Sequence, residues 1–421
     1  MLKQCRTLLA IMLRNETITF CNKVAKQFHC SKSACFSSAD SRQPKHLHNI
    51  KPYKTQAFCC GLIITAVLFL NACDFVEELL QSEQSGQLEQ PEQPSKPEFD
   101  ERTIVESVGE LDAKIAEMTG QFQRSANVLI RNVEIWQQLS GFYEDNQHLL
   151  VLRGIRGMDI EFLLREDGVL DAVITPEYEM FKNILIAYEN DDTSHLTTQE
   201  IQVYEIAQSA VATYRGNTTF ETAHALHTFV KNSMEFEHNH ENNPNAFNVY
   251  GALVEGRAVC QGYAQSLLIL LHMAGIENTL ITGQAGDEEH AWNFVNYGTA
   301  TNPNWYHVDV TWNDTEHGLS NQFFNVSDAV IQRTHTWERA NFPPATSMQR
   351  NYFKFNAIVA NNPEQLEAIF VNLHNQERTF IEILCTFDVS PEHLTFLHRY
   401  SVAPEFKSSI YGEDVLLTVV L

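Results

Sequence analysis

Residues 250–271 read YGALVEGRAVCQGYAQSLLILL, residues 288–295 EEHAWNFV, residues 304–314 NWYHVDVTWND and residues 333–337 RTHTW. These runs decide the fold. From Val259 to Ala274, Ala264, Leu267, Leu268 and Leu271 recur at helical spacing, and Gly275 stands where a left-handed C-cap is wanted. Two strand patterns follow, roughly Glu289–Asn296 and Asn304–Thr311, joined by a loop rich in Gly, Thr, Asn and Pro. The expectation is an α+β core, one helix packed on an antiparallel sheet.

The chemistry-bearing residues fall at the ends of these elements. Cys260 opens the helix, where unsatisfied N–H groups and the positive end of the dipole favour a thiolate. Gly256 and Gly262 on either side allow close approach of a backbone or a substrate. A thiolate nucleophile needs a base and donors for an oxyanion, and His290 and Asp309 can supply the base and its orienter. If the strands form a hairpin around 297–302 with partner numbers summing to 599, His290 faces Asp309, Trp292 faces His307 and Phe294 faces Trp305. Opposed residues share a face, close enough for the carboxylate to accept from one ring nitrogen and leave the other for the thiol. A slip of one residue would separate them. Each residue alone reads as structural: a buried inert thiol, a core histidine, a capping aspartate. The combination points to chemistry.

These motifs resemble the transglutaminase-like superfamily, papain-like in fold, in its bacterial form. The matches are Cys260-Gln261-Gly262-Tyr263-Ala264, His290-Ala291-Trp292-Asn293 and Asp309-Val310-Thr311-Trp312. The runs His227–Phe236, Phe324–Asp328 and His335–Trp337 are similar to bacterial members too, so the resemblance spans about 200–340. It implies Cys260 as nucleophile, His290 as general base and acid, Asp309 as orienter and the Cys260 N–H as one oxyanion donor, the second being unassigned. Tyr250 is a candidate contributor set against plain packing. Trp292, Trp305 and Trp312 read as core or cleft wall, His335 as an ordinary packing or surface residue with lining of the site as the alternative, and the role of Asn293 is open. The superfamily includes transamidases, peptidases, amidases and inactive members, so the reaction is not specified. No EF-hand-like run of acids is present, His238-x-His240 reads as a solvated loop, and the expectation is no metal and no cofactor.

Around this core the organisation is read as follows. Residues 103–199 are expected to be a mainly helical region, with Val105, Val108, Leu111, Ile115, Met118 and Phe122 at helical spacing, a turn at Asp167-Gly168 and a break at Pro176. Residues 200–340 are expected to form the catalytic domain, with a helix near 197–214 at its start and a capping box at Thr218–Glu221 that opens a helix to about Asn232. Residues 351–421 read as a small C-terminal α+β region: a helix near 363–373, a strand at 379–387, a helix opened by Ser390-Pro391-Glu392 and a strand at 414–421. It holds no catalytic constellation.

Upstream, Ala57–Leu70 is a 14-residue uncharged stretch after Lys51 and Lys54, too short to span a bilayer and suited to a signal-peptide core. It ends in Leu70-Asn71-Ala72-Cys73, which resembles a lipoprotein lipobox; that implies cleavage before Cys73 and lipid on it. A short anchor, a plain secretory signal and a basic transit peptide over 1–56 are the rival readings. Residues 1–73 are thus a signal region, with 1–50 ahead of any n-region and Met1 read as too early a start. Residues 74–102, rich in Gln, Glu, Pro and Ser, are a flexible linker.

The chain has 421 residues, 44% hydrophobic, and a net charge of −24, enough apolar content for a core and the wrong sign for nucleic acid. Residues 1–56 carry ten Lys/Arg and two acids, whereas from Asp74 onward there are 19 basic and 51 acidic residues, so the body is more acidic than the total. Only Cys260 and Cys385 follow Cys73, too few for a disulfide framework, although a single Cys260–Cys385 bond would abolish the chemistry. The reading is a membrane-anchored extracytoplasmic cysteine enzyme acting on peptide or protein amides, cell-wall peptides included, through a thioester. The alternative is a catalytically silent surface scaffold of the same fold.

Overall fold

The computed structural model describes residues 102–421; the signal region, Cys73 and the linker up to Glu101 lie outside the described residues. Among the described residues no helix is long and apolar enough to cross a membrane.

The first module, expected to be mainly helical, combines three helices with a four-stranded sheet. It runs β1 (Ile104–Val105), α1 (Val108–Gly120), β2 (Ala126–Ile130), α2 (Val133–Asp145), α3 (Gln147–Arg153), β3 (Ile155–Leu164) and β4 (Leu170–Tyr178), with sheet order β1-β2-β4-β3. Its core is its own, built on Leu111, Ile115, Met118, Leu139 and Ile174. The helical expectation fails at ANVLI, residues 126–130. A short run with Val128, Leu129 and Ile130 consecutive and buried has no periodicity that separates a buried strand from a buried helix, and here it pairs with both β1 and β4. The expected turn at Asp167-Gly168 closes the β3–β4 hairpin, Gly168 taking φ 84° and Asp167 Oδ1 accepting the Val169 N–H at 3.1 Å.

Next come α4 (Met180–Asn190), α5 (Thr198–Thr213), α6 (Thr219–Ser233) and α7 (Cys260–Met273). Capping boxes start α5, on Thr197 and Glu200, and α6, on Thr218 and Glu221. The central helix α7 buries residues 262–271 without a gap, so it is apolar all round rather than striped. Leu267, Ile269, Leu270 and Leu271 are at most 1% exposed, each contributing about 2 kcal/mol of apolar transfer. Gly262 is required where α7 meets the 244–248 segment: a Cβ there would sit 2.7 Å from Ala258 Cβ and 3.0 Å from the Ala246 carbonyl.

Against α7 lies a five-stranded antiparallel sheet of β5 (Asn278–Ala285), β6 (Glu288–Asn296), β7 (Trp305–Val308), β8 (Phe324–Val326) and β9 (His335–Trp337), in the order β8-β7-β6-β5-β9. Two sequence expectations are corrected here. Phe294 pairs with His307 and Asn296 with Trp305, so partner numbers sum to 601 rather than 599. The hairpin is tighter than expected, closed by a Thr299–Asn302 bridge. A slip of two keeps every side chain on its face, so the shared face of His290 and Asp309 survives. The second strand also stops at Val308 instead of Thr311. Asp309 becomes the N-cap of a short helix, α8 (Val310–Asn313), its Oδ1 accepting the Trp312 N–H at 3.1 Å. An aspartate that bonds its own backbone competes with the ladder, and here it ends the strand.

The C-terminal region is built on a further sheet, β10 (Val359–Ala360), β11 (Phe380–Cys385), β12 (Glu405–Tyr411) and β13 (Asp414–Val420), ordered β10-β11-β13-β12, with α9 (Pro363–His374) packed on it. β12 escaped the sequence reading: EFKSSIY is mostly exposed and lacks a clean apolar alternation.

Candidate active site

Three elements deliver the expected residues to one place. Cys260 is the first residue of α7, His290 lies on β6, and Asp309 caps α8 just beyond β7. The helix and the sheet are stapled by Asn293, whose Nδ2 donates to the Ala264 carbonyl at 2.9 Å. That answers the open role of Asn293: it faces away from Asp309 and fixes the depth of the nucleophile helix against the histidine strand. The α8 turn is pinned from behind. Asn313 bonds His227 Nε2 at 3.0 Å, and the Tyr263 hydroxyl donates to Asp314 at 2.8 Å.

His290 Nε2 and Asp309 Oδ2 are 2.7 Å apart. Asp309 is fully buried. Burial alone would raise its pKa, but the charge and hydrogen bond of His290, with the bond from His335, hold the carboxyl well below the usual carboxylate range. An ionised carboxylate only accepts, so His290 carries its proton on Nε2 and leaves Nδ1 for the thiol. Burial works against the imidazolium of His290; Asp309, then Cys260 as hydrogen-bond and Coulombic partner, overcome it and push the group up to about 10. The arrangement favours an imidazolium at neutral pH, the partner that an adjacent thiolate needs. Val259 supplies no side-chain cap to α7; its carbonyl accepts the Gly262 N–H at 2.9 Å, and Cys260 stands in the uncapped first turn.

The surroundings divide the remaining candidates. Trp292 is buried; its Nε1 donates to His307 Nδ1 at 3.0 Å, and His307 Nε2 meets Asp328 at 2.8 Å, which fixes the indole beside the His290 ring. Trp305 stacks on Phe294 at 4.8 Å and belongs to the core, and Tyr250 packs half-buried against it. Trp312 differs: it is 36% exposed and stands edge-on to His290, forming one wall of the site. His335 departs most from the sequence reading. It is neither a surface residue nor mere packing, because its Nε2 lies 2.9 Å from the same Asp309 Oδ2 that His290 uses. Strand alternation in RTHTW places His335 and Trp337 on one face, but nothing local says that β9 pairs with β5, across 50 residues, and that pairing brings the ring to Asp309.

His290, Asp309 and His335 present ligand-type atoms within 4.8 Å of one another, the one such group among the described residues. Separations of 2.7 and 2.9 Å from one carboxylate oxygen are hydrogen-bond lengths, and both rings donating there satisfy that oxygen without an ion. His238 and His240 do not form such a group. Cys260 and Cys385 are both free thiols, so the disulfide alternative is set aside.

Residues 205–310 match the model of the transglutaminase-like superfamily. The chain is also similar to a solved structure described as a TGase, with 12% identity, 46% of this chain and 52% of that one covered and a TM-score of 0.24. A structure from Cytophaga hutchinsonii, described as a proposed cysteine protease, has 14% identity, coverage of 37% and 62% and a TM-score of 0.23. A third, described as a proposed protease from Parabacteroides distasonis, has 10% identity, coverage of 61% and 55% and a TM-score of 0.20. The chain thus spans between about half and three-fifths of the length of these structures. No curated protein matches the sequence.

Proposed function

We propose that this chain, whose residues 205–310 carry a transglutaminase-like core, is a cysteine enzyme that cleaves or transfers peptide or protein amides through a thioester. The observation that carries the reading is the buried His290–Asp309 pair, 2.7 Å apart, with Cys260 at the start of α7 as a further partner of the same ring, each residue delivered by a separate element. The Cys260 sulfur attacks the amide carbonyl, forming the S–C bond while the oxyanion accepts from the Cys260 N–H. On collapse the C–N bond breaks, and the amine leaves with a proton from the His290 imidazolium. An amine or water then attacks the thioester, gives its proton to the imidazole and releases the thiolate. Asp309 keeps the ring in its tautomer and stabilises its charge throughout.

The chain is further proposed to act outside the cytoplasm, held at the membrane by lipid on Cys73, with peptide substrates of the envelope within reach of its linker. The run Leu70–Cys73 and the polar stretch after it support that placement. Mass spectrometry of wild type against Cys260→Ala, incubated with amide and peptide libraries, tests the chemistry. A substrate-derived acyl adduct on Cys260 and products absent from the variant are expected. Identical product profiles, with no adduct, would leave the silent-scaffold reading in its place. Radiolabelled fatty acid incorporated by wild type and lost in Cys73→Ala tests the anchor.

A further inference from the structure

We propose that His335 is a positioning residue of this site, acting through Asp309 and not on substrate. The inference rests on the enzymatic reading above. The ring is fully buried in an aromatic box, 4.8 Å from Trp312, 5.1 Å from Trp292 and 5.4 Å from Phe323 between centroids. A phenylalanine would suit that box. A polar ring placed there costs free energy unless both nitrogens are partnered, and both are: Nε2 meets Asp309 at 2.9 Å and Nδ1 meets the Thr334 hydroxyl at 2.8 Å. With Asp309 ionised, Nε2 must be the donor. The Thr334 hydroxyl then turns to suit Nδ1.

The consequence falls on the carboxylate. Asp309 receives three donors from three elements: His290 from β6 and His335 from β9 on Oδ2, and the Trp312 N–H of α8 on Oδ1. With only the His290 and Trp312 contacts, Oδ2 would be held by the ring it is meant to orient. His335 supplies an independent anchor, fixed to the sheet through β9 and β5. The oxygen therefore stays in place when the His290 proton moves toward a leaving group.

Iodoacetamide labelling of Cys260, followed by peptide mass spectrometry from pH 5 to 10, tests this in wild type, H290A, H335F, H335N and H335Q. The Gln amide reaches where Nε2 was; the Asn amide is too short. H335F and H335N are expected to label about tenfold more slowly at pH 6, the size of one hydrogen bond to a charged group, with the acid limb of the profile moved upward. H335Q is expected to stay near wild type. Wild-type rates and profile in a folded H335F overturn the proposal, as do equal rates for H335Q and H335N. That second comparison decides the matter if H335F fails to fold. A wild-type Cys260 no more reactive than Cys385 sinks the enzymatic reading and this one together. Fast wild type, slow H290A and unaffected H335 variants sink this one alone.

Discussion

The five-stranded sheet and the C-terminal sheet each bury a carboxylate and stand beside a free cysteine, yet the two pairs are opposite in setting. Asp309 takes its hydrogen bonds from two imidazoles and a backbone N–H and is held well below the usual range. Glu382, on β11, is buried too, but its partners are the Ser320 hydroxyl at 2.6 Å and the Asn321 N–H at 2.8 Å. Neutral donors do not offset its burial, and the carboxyl is pushed up to about 7. The thiols differ in their settings. Cys260 is half-buried at a helix start beside His290, whereas Cys385 is buried in the C-terminal sheet and burial pushes its thiol up to about 12. Burial alone makes a group inert; burial beside an imidazole that can carry charge makes it usable.

The largest expected effect breaks the comparison at the sulfur. Cys260→Ala should remove turnover, and His290→Ala should lower it by about 10²–10⁴-fold, while Cys385→Ala leaves kcat/KM unchanged. Steady-state rates on any substrate found in the library screen check this. A comparable loss in Cys385→Ala would place chemistry where none is assigned. Asp309→Asn should follow, with a drop of about 10²–10⁴-fold, because the amide reverses the donor pattern at Oδ2 and selects the wrong tautomer of His290.

The carboxylates and the imidazole also predict a two-step loss of stability with rising pH. Glu382 binds its proton more tightly folded than unfolded, so stability falls as pH rises from 4.5 to about 7 and is then level, a swing on the order of 3 kcal/mol. His290 likewise has a raised value, so its contribution is complete below 6.5 and is lost as pH rises through about 10. Asp309 has the opposite sign, and its contribution is lost only in acid. Urea midpoints across pH should therefore lose the lower step in Glu382→Gln and the upper step in His290→Gln. A Glu382→Gln profile as steep as wild type between pH 5 and 7 would refute the assignment.

What was legible in the sequence follows the range of the interactions. The α7 helix, the His290 strand and the cap at Thr218 were written in neighbouring residues. The shared face of His290 and Asp309 was also legible, because parity along strands survives an even slip of register. The register itself was not, since it depends on how the 297–304 turn closes. Nor was the end of β7 at Val308, where the side-chain bond of Asp309 outcompetes the ladder. His335 and β2 were hidden for a different reason. Each acquires its role from a partner strand far away in the chain, and no local periodicity records that partner.

The smallest expected effect sharpens the same contrast between local and distant control. Thr218→Ala removes the hydroxyl that accepts the Glu221 N–H at 3.1 Å and breaks the capping box of α6. The expected cost is about 1 kcal/mol of global stability. The helix it starts carries His227, which bonds Asn313 at the end of α8. A cap lost a helix-length away should therefore lower the urea midpoint and leave the pH profile of Cys260 labelling unmoved. If that profile shifts, the α6–α8 contact belongs with the positioning residues, and the boundary drawn here around the site is too narrow.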